Sequence, residues 1–192
     1  MPRTRFHNDE NNAVCQLFWG RVKIEKATAL FYYFKHSKYQ SLIHQLKYKG
    51  KTDVGQELGK MLGGELLRSG FLKDIDVLVP VPLHPKKEKK RGYNQSFYIC
   101  KGISEVSGIP IDSNTLVRNV YTETQTKRNR NDRYCNVKDA FSNKHSENFS
   151  SKHILLIDDV VTTGATLESC SNKILEIANS KVSIASLAVA SN

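Results

Sequence analysis

Two adjacent carboxylates, Asp158 and Asp159, stand directly ahead of a hydroxyl- and glycine-rich turn, Val161-Thr162-Thr163-Gly164-Ala165-Thr166. Carboxylates only accept hydrogen bonds, so an acid pair suits sugar hydroxyls, directly or through the shell of a Mg²⁺ ion. The threonine hydroxyls can donate to an anion, and Gly164 lets the backbone turn and approach it closely. A helix beginning near Ala165 would aim its unpaired N–H groups and positive dipole end at the same anion. Ahead of the acids, Ile154-Leu155-Leu156-Ile157 is a short continuous apolar run, the pattern of a buried parallel strand. The acids then sit at the carboxyl end of a strand, where open α/β sheets bind their ligands. The chemistry on offer is a diol clamp and a phosphate cradle about one sugar apart.

Two rival readings use the same residues. One is a strand, an acidic turn and a threonine-capped helix with no ligand; the length of the pattern weighs against it. The other is a nucleotide-hydrolysing P-loop fold, in which the acidic strand would hold Mg²⁺. That requires G-x-x-x-x-G-K-[ST] upstream. The nearest stretch, Gly55-Gln56-Glu57-Leu58-Gly59-Lys60-Met61, has the wrong glycine spacing and a methionine where a hydroxyl is needed. No G-x-G-x-x-G occurs, which removes support for a dinucleotide fold.

A second group of residues follows an expected strand over 75–79: His84, then Lys86, Lys87, Lys89, Lys90 and Arg91. A basic loop there could hold pyrophosphate through point charges; for any single lysine a solvated surface is the plainer account. His84 reads either as a pyrophosphate contact or as a cap of the turn, and Asn94 either as a ligand contact or as the cap of the helix after it. Between 118 and 133 lie Arg118, Lys127, Arg128, Arg130 and Arg133 among polar residues, too few of them apolar for a core strand. Such a segment suits a nucleic-acid contact loop or a plain surface loop.

The stretch ILLIDDVVTTGAT resembles the phosphoribosyl-pyrophosphate signature of type I phosphoribosyltransferases. Val79-Pro80-Val81-Pro82-Leu83-His84-Pro85, Arg91-Gly92-Tyr93-Asn94-Gln95, and the spaced residues Arg118, Thr124-Gln125-Thr126, Arg133, Asn136 and Phe141 resemble the ComF/GntX-type branch, as does His44-Gln45-Leu46-Lys47-Tyr48-Lys49-Gly50. Several motifs in one order, over roughly residues 40 to 190, make the resemblance specific. It implies an α/β, type I phosphoribosyltransferase-like fold, a mostly parallel sheet flanked by helices with an N-terminal appendage or hood. It implies phosphoribosyl pyrophosphate as substrate or ligand and Mg²⁺ as cofactor, the ion held mainly through the ligand with Asp158 as a candidate contact. Asp158 and Asp159 would be the catalytic, ribose-binding acids, and Val161, Thr162, Thr163, Gly164, Ala165 and Thr166 the 5′-phosphate site. His84, Lys87, Arg91, Asn94 and Gln95 would bind pyrophosphate. Gln125, Arg128 and Arg133 would belong to a hood that closes and excludes water.

The acceptor is not fixed by the resemblance. ComF kinship implies a link to DNA uptake during natural transformation, so a second function class stays open: a non-catalytic sensor of phosphoribosyl pyrophosphate that meets single-stranded DNA or a helicase-like partner. No recognition helix or aromatic–basic RNA motif is visible.

The elements that must position these groups follow from pattern and composition. At 192 residues the chain suits one domain with a small appendage, here 1–26 as an N-terminal segment and 27–192 as the phosphoribosyltransferase-like domain. The net charge of +10, from 29 basic and 19 acidic residues, favours polyanionic partners as well as solubility. No apolar run approaches the roughly 20 residues of a membrane span, and the polar N-terminus lacks a signal core, which makes the cytoplasm the default location. The four cysteines, Cys15, Cys100, Cys135 and Cys170, form no C-x-x-C. The N-terminal zinc ribbon often carried by this family is therefore not expected, and packed or free thiols are. Residues 1–12 are polar and expected to be poorly ordered. Strands are expected over 27–34, 75–79, 154–158 and 182–188, and helices over 39–48, 54–67, 94–106 and 165–178. Leu58, Met61, Leu62 and Leu66 are expected to form the buried stripe of the second helix. The last strand–helix–strand unit predicts a parallel pair with a right-handed crossover.

Overall fold

The computed structural model describes residues 2–34, 45–47, 50–120 and 140–190. In chain order these form α1 (Ala13–Gln16), β1 (Ala27–Tyr33), α2 (Thr52–Arg68), β2 (Val77–Pro80), α3 (Pro85–Arg91), α4 (Gln95–Ser107), β3 (Leu116–Arg118), β4 (Phe141–Asn143), β5 (His153–Val161), α5 (Ala165–Leu175) and β6 (Lys181–Ala190). The hood residues Gln125, Arg128 and Arg133, and most of the helix expected over 39–48, lie outside the described residues; residues 45–47 are helical.

β1, β6, β5 and β2 pair in that order as a parallel sheet, and β3 pairs with β4 as a small antiparallel ribbon. The sheet is covered on both faces. Ile154 and Leu156 of β5 pack in one core with Leu167, Cys170 and Ile174 of α5. Leu155 and Ile157 pack in the other with Leu62 and Leu66 of α2 and Ile99 and Ile103 of α4. A strand buried on both sides has no polar face to alternate with, so it reads as a continuous apolar run. Burying each such side chain contributes about 1.5–3 kcal/mol. Among the described residues no helix is long and apolar enough to cross a membrane.

Two expectations are corrected here. Of the expected stripe of α2, Leu62 and Leu66 are buried, but Met61 is 42% exposed and Leu58 is only half-buried. Gly55, Gly59 and Gly63 share the buried face with Leu62, Glu65 and Leu66. A Cβ on Gly59 would overlap the Ile99 carbonyl oxygen of α4, and one on Gly102 of α4 would overlap the Gln56 carbonyl of α2. The two backbones thus touch, and glycine is the apolar contact surface. The second correction concerns the N-terminus. Thr4 N–H donates to the Leu30 carbonyl and Tyr32 N–H to the Pro2 carbonyl, each at 3.1 Å, which lines residues 2–4 along β1. Asn12 is buried; its Oδ1 caps α1 and its amide donates to the Ala27 carbonyl at 2.8 Å. Val14, Cys15 and Phe18 then enter the same core as Ile154. Polar composition hid a segment held by backbone bonds and by three apolar anchors.

Candidate phosphoribosyl site

β5 does not end at the acid pair. It continues through Val161, with Asp158 opposite Ser186 and Val160 opposite Ala188 on β6. Asp159 is consequently enclosed, 3% exposed, while Asp158 is half-buried. Asp158 Oδ1 accepts from the Asp159 N–H at 2.8 Å and from the Ser96 hydroxyl of α4 at 3.3 Å. Neither bond uses Oδ2. Asp159 Oδ2 is 2.8 Å from the Lys47 ammonium. Lys47 is placed from its neighbour: Leu46 is fully buried, and its carbonyl accepts from the Tyr93 hydroxyl.

The electrostatics follow from this enclosure. Burial, then the Asp159 charge, pushes the Asp158 carboxyl up to about 7, against the opposing pull of Lys47 and the hydrogen bonds. Burial disfavours the Lys47 charge, but Asp159, and after it Asp158, outweigh that and hold the ammonium above its usual range. Burial, then Asp158, also raises the thiol of Cys170, with Arg118 in partial opposition. Arg118 lies over the Phe141 ring, 5.3 Å from its centroid.

Beyond the acids the chain turns at Gly164, whose φ of +75° is the left-handed conformation that favours glycine. Gly164 is the N-cap of α5 and has no side chain to cap it; the Ala165 N–H donates to the Thr163 hydroxyl oxygen at 3.5 Å, and the residues of this turn line a pocket. That pocket, of about 40 Å³, is bounded by Asp158, Val160 and Val161, by the turn Thr162 to Thr166, and by Leu167. The structure thus brings Asp158 and all six residues of the expected phosphate turn to one pocket, while Asp159 does not line it and is paired with Lys47.

The stretch after β2 is built differently. The basic run is a helix, α3, not the expected loop. His84 is its N-cap, with Nδ1 accepting from the Lys86 N–H at 3.1 Å. Asn94 caps α4 by accepting from the Ser96 N–H at 3.0 Å, and its amide donates to the Val81 carbonyl, also at 3.0 Å. Gln95 is buried and accepts from the Arg91 guanidinium. His84 and Asn94 thus both take the capping geometry that is one of the two readings for each. Lys87 is half-buried, and Lys86, Lys89 and Lys90 are exposed.

Lys47 and Ser96 were not singled out from the sequence. Lys47 lies within the quoted His44 to Gly50 stretch, but no local pattern announces that its partner is Asp159. Ser96 sits directly after the cap Asn94, a position that reads as ordinary helix.

The sheet superposes on glutamine phosphoribosylpyrophosphate amidotransferase from Bacillus subtilis with a TM-score of 0.50 at 21% identity, over 75% of this chain and 30% of that one. The parallel sheet, covered by helices on both faces, is the fold of a type I phosphoribosyltransferase. No family model matches the chain. It is 34% identical over 137 residues to the DNA utilization protein YhgH of Salmonella typhimurium, covering 70% of this chain and 60% of that one. It is 31% identical over 151 residues to competence protein F of Haemophilus influenzae, covering 77% of this chain and 66% of that one. The chain belongs to the ComF family. It spans about 60% of the length of the first of these relatives.

Proposed function

We propose that this protein binds phosphoribosyl pyrophosphate with Mg²⁺ at the end of β5 and transfers the phosphoribosyl group to an acceptor. The observation that carries this reading is the shared pocket: Asp158 lines the same small cavity as the turn that opens α5. In the transfer the bond from ribose C1 to pyrophosphate breaks and its electron pair leaves with pyrophosphate. A nucleophilic atom of the acceptor bonds to C1, and the acceptor's proton passes to a base or to water. Ionised Asp158 and Asp159 accept hydrogen bonds from the ribose hydroxyls, and their charge favours the cation-like sugar of the transition state. The 5′-phosphate is held by the Thr162 to Thr166 turn and the dipole of α5. Lys87 and Arg91, with His84, Asn94 and Gln95 fixing their neighbourhood, receive the pyrophosphate; Gln125, Arg128 and Arg133 close over the bound sugar.

The donors fit Mg²⁺. Asp158 offers a hard oxygen, Oδ2, that enters neither of its two bonds described above. Among the described residues no group of three or more His, Cys, Asp or Glu could cage a metal. The Asp158 Oδ2 suits an ion held mainly by the ligand's phosphates and water with Asp158 at its edge. When bound, Mg²⁺ would neutralise the charge developing on pyrophosphate.

Kinship with a competence protein and a DNA utilization protein supports a role in DNA uptake for this chain, and a cytoplasmic location goes with that reading. A second reading, a non-catalytic sensor that also meets single-stranded DNA or a helicase-like partner, draws on the exposed Lys86, Lys89 and Lys90 of α3. Calorimetric titration of phosphoribosyl pyrophosphate with Mg²⁺ into the wild type and the Asp158→Asn/Asp159→Asn variant tests the shared premise. Binding by the wild type and its loss in a folded variant are expected; equal affinity would refute the assignment. Pyrophosphate release with an acceptor then favours the enzyme, and steeply salt-dependent DNA binding favours the sensor.

A further inference from the structure

We propose that Arg21 is a positioning residue that sets the phosphate turn from behind; the proposal rests on the phosphoribosyl reading above. One guanidinium joins three elements. Its Nη1 donates to the Leu17 carbonyl at 2.7 Å and to the Thr163 carbonyl at 2.9 Å. Its Nε donates to Glu168 Oε2 on the first turn of α5 at 3.0 Å, and Nη2 pairs with the same carboxylate. The planar fork of an arginine can satisfy all of these from one fixed orientation, which a lysine cannot. From the same segment Phe18 presses on the turn: a Cβ at Gly164 would lie 3.1 and 3.2 Å from its ring carbons.

The consequence lies in the peptide between Thr163 and Gly164. A trans peptide is planar, with its C=O and N–H on opposite sides. Pinning the Thr163 carbonyl toward Arg21 therefore turns the Gly164 N–H the other way. The pocket on the far side is lined by Gly164 but by neither Arg21 nor Phe18. Glu168 matches the arginine's charge, so the contribution is orientation of a donor rather than added positive potential. The N-terminal segment thus prepares the turn for a phosphate ester that it does not touch.

The test uses Arg21→Lys, Arg21→Ala and Glu168→Gln in the full chain. Phosphoribosyl pyrophosphate with Mg²⁺, ribose 5-phosphate and inorganic pyrophosphate are titrated separately by calorimetry. Hydrogen exchange is followed without ligand at the Glu168 amide, whose N–H donates to the Gly164 carbonyl at 2.8 Å. Both Arg21 variants are expected to weaken the two 5′-phosphate ligands about tenfold, the order of one well-placed hydrogen bond, and to leave pyrophosphate within about twofold. Exchange at the Glu168 amide should quicken while that of β5 does not. Glu168→Gln, which keeps both carbonyl bonds, should bind like the wild type. Unchanged ribose 5-phosphate affinity in a folded Arg21→Lys, or equal weakening of pyrophosphate, overturns the proposal. A wild type that binds no phosphoribosyl pyrophosphate overturns the phosphoribosyl reading instead; unchanged Glu168 amide exchange in the Arg21 variants still overturns the brace.

Discussion

The turn after β5 and the stretch after β2 leave neighbouring parallel strands of one sheet, and both are rich in residues able to hold phosphates. After β5 the polar groups line a pocket, and the helix that follows starts at a glycine with no side chain to cap it. After β2 they are taken up by the fold: His84 caps α3, Asn94 caps α4 and ties back to Val81, and Gln95 accepts from Arg91. The same residue types at the same place in a sheet therefore border a pocket in one case and cap helices in the other. Local N–H groups claim side chains in both places, since Asp158 Oδ1 accepts from Asp159 and Thr163 Oγ1 accepts from Ala165. What separates them is that Asp158, at the edge of the pocket, keeps Oδ2 outside the bonds described above. Residue type announces chemistry, and the capping geometry decides whether that chemistry is still available.

The sharpest way to break this contrast is to move α4, which carries Asn94, Gln95 and Ser96. Gly102→Ala should force α4 away from the Gln56 carbonyl and cost about 3 kcal/mol or more, read as a large drop in the urea midpoint. A wild-type midpoint would mean the helices are not in backbone contact. Next in size, Asn94→Ala removes a cap and the bond to Val81, and should cost about 1–2 kcal/mol. Its pyrophosphate affinity, measured calorimetrically on the folded variant, should fall far less than the stability does. A collapse of affinity at unchanged stability would instead make Asn94 a ligand contact.

A third prediction concerns pH. The folded-state pKa of Asp158 is raised from 3.8 to about 7, so the folded protein holds that proton more tightly than the unfolded chain. Asp158 therefore costs stability progressively as pH rises from about 4 to about 7, and the cost is constant above that range. Asp158→Asn should melt higher than the wild type at pH 8, on the order of 1 kcal/mol or about 2–4 °C after solvent screening, with the gap closing toward pH 4. Affinity for phosphoribosyl pyrophosphate should move oppositely. It should strengthen as pH rises through about 7, where Asp158 becomes an acceptor, and the variant should lack that rise. The smallest effect belongs to Lys87→Ala: stability within about 0.5 kcal/mol of the wild type, and pyrophosphate affinity lower by roughly two- to fivefold.

Much of the fold was legible because its signals are local. The apolar run of β5, the helix start at Ala165 and the parallel β–α–β unit each follow from residues within one window. The acid pair and the turn were legible for the same reason: they are contiguous in sequence, within β5 and directly after it. What escaped was non-local. Lys47 reaches Asp159, and Arg21 reaches Thr163 across 142 residues, and nothing in either neighbourhood names the partner. The α2 stripe misled because hydrophobic pattern rewards large side chains. Where two helices touch through their backbones, Gly59 and Gly102 form the contact and Met61 is left outside. β5 passed its expected end because Val160 and Val161 pair with β6, a partner that no local reading supplies.

The most direct measurement is a crystal structure of the protein grown with phosphoribosyl pyrophosphate and Mg²⁺. The account predicts the 5′-phosphate seated on the N–H groups of the Thr162 to Thr166 turn, the ribose hydroxyls on Asp158 and Asp159, and the pyrophosphate toward Arg91. A ligand bound elsewhere, or with its 5′-phosphate on α3 and the β5 turn empty, would contradict it.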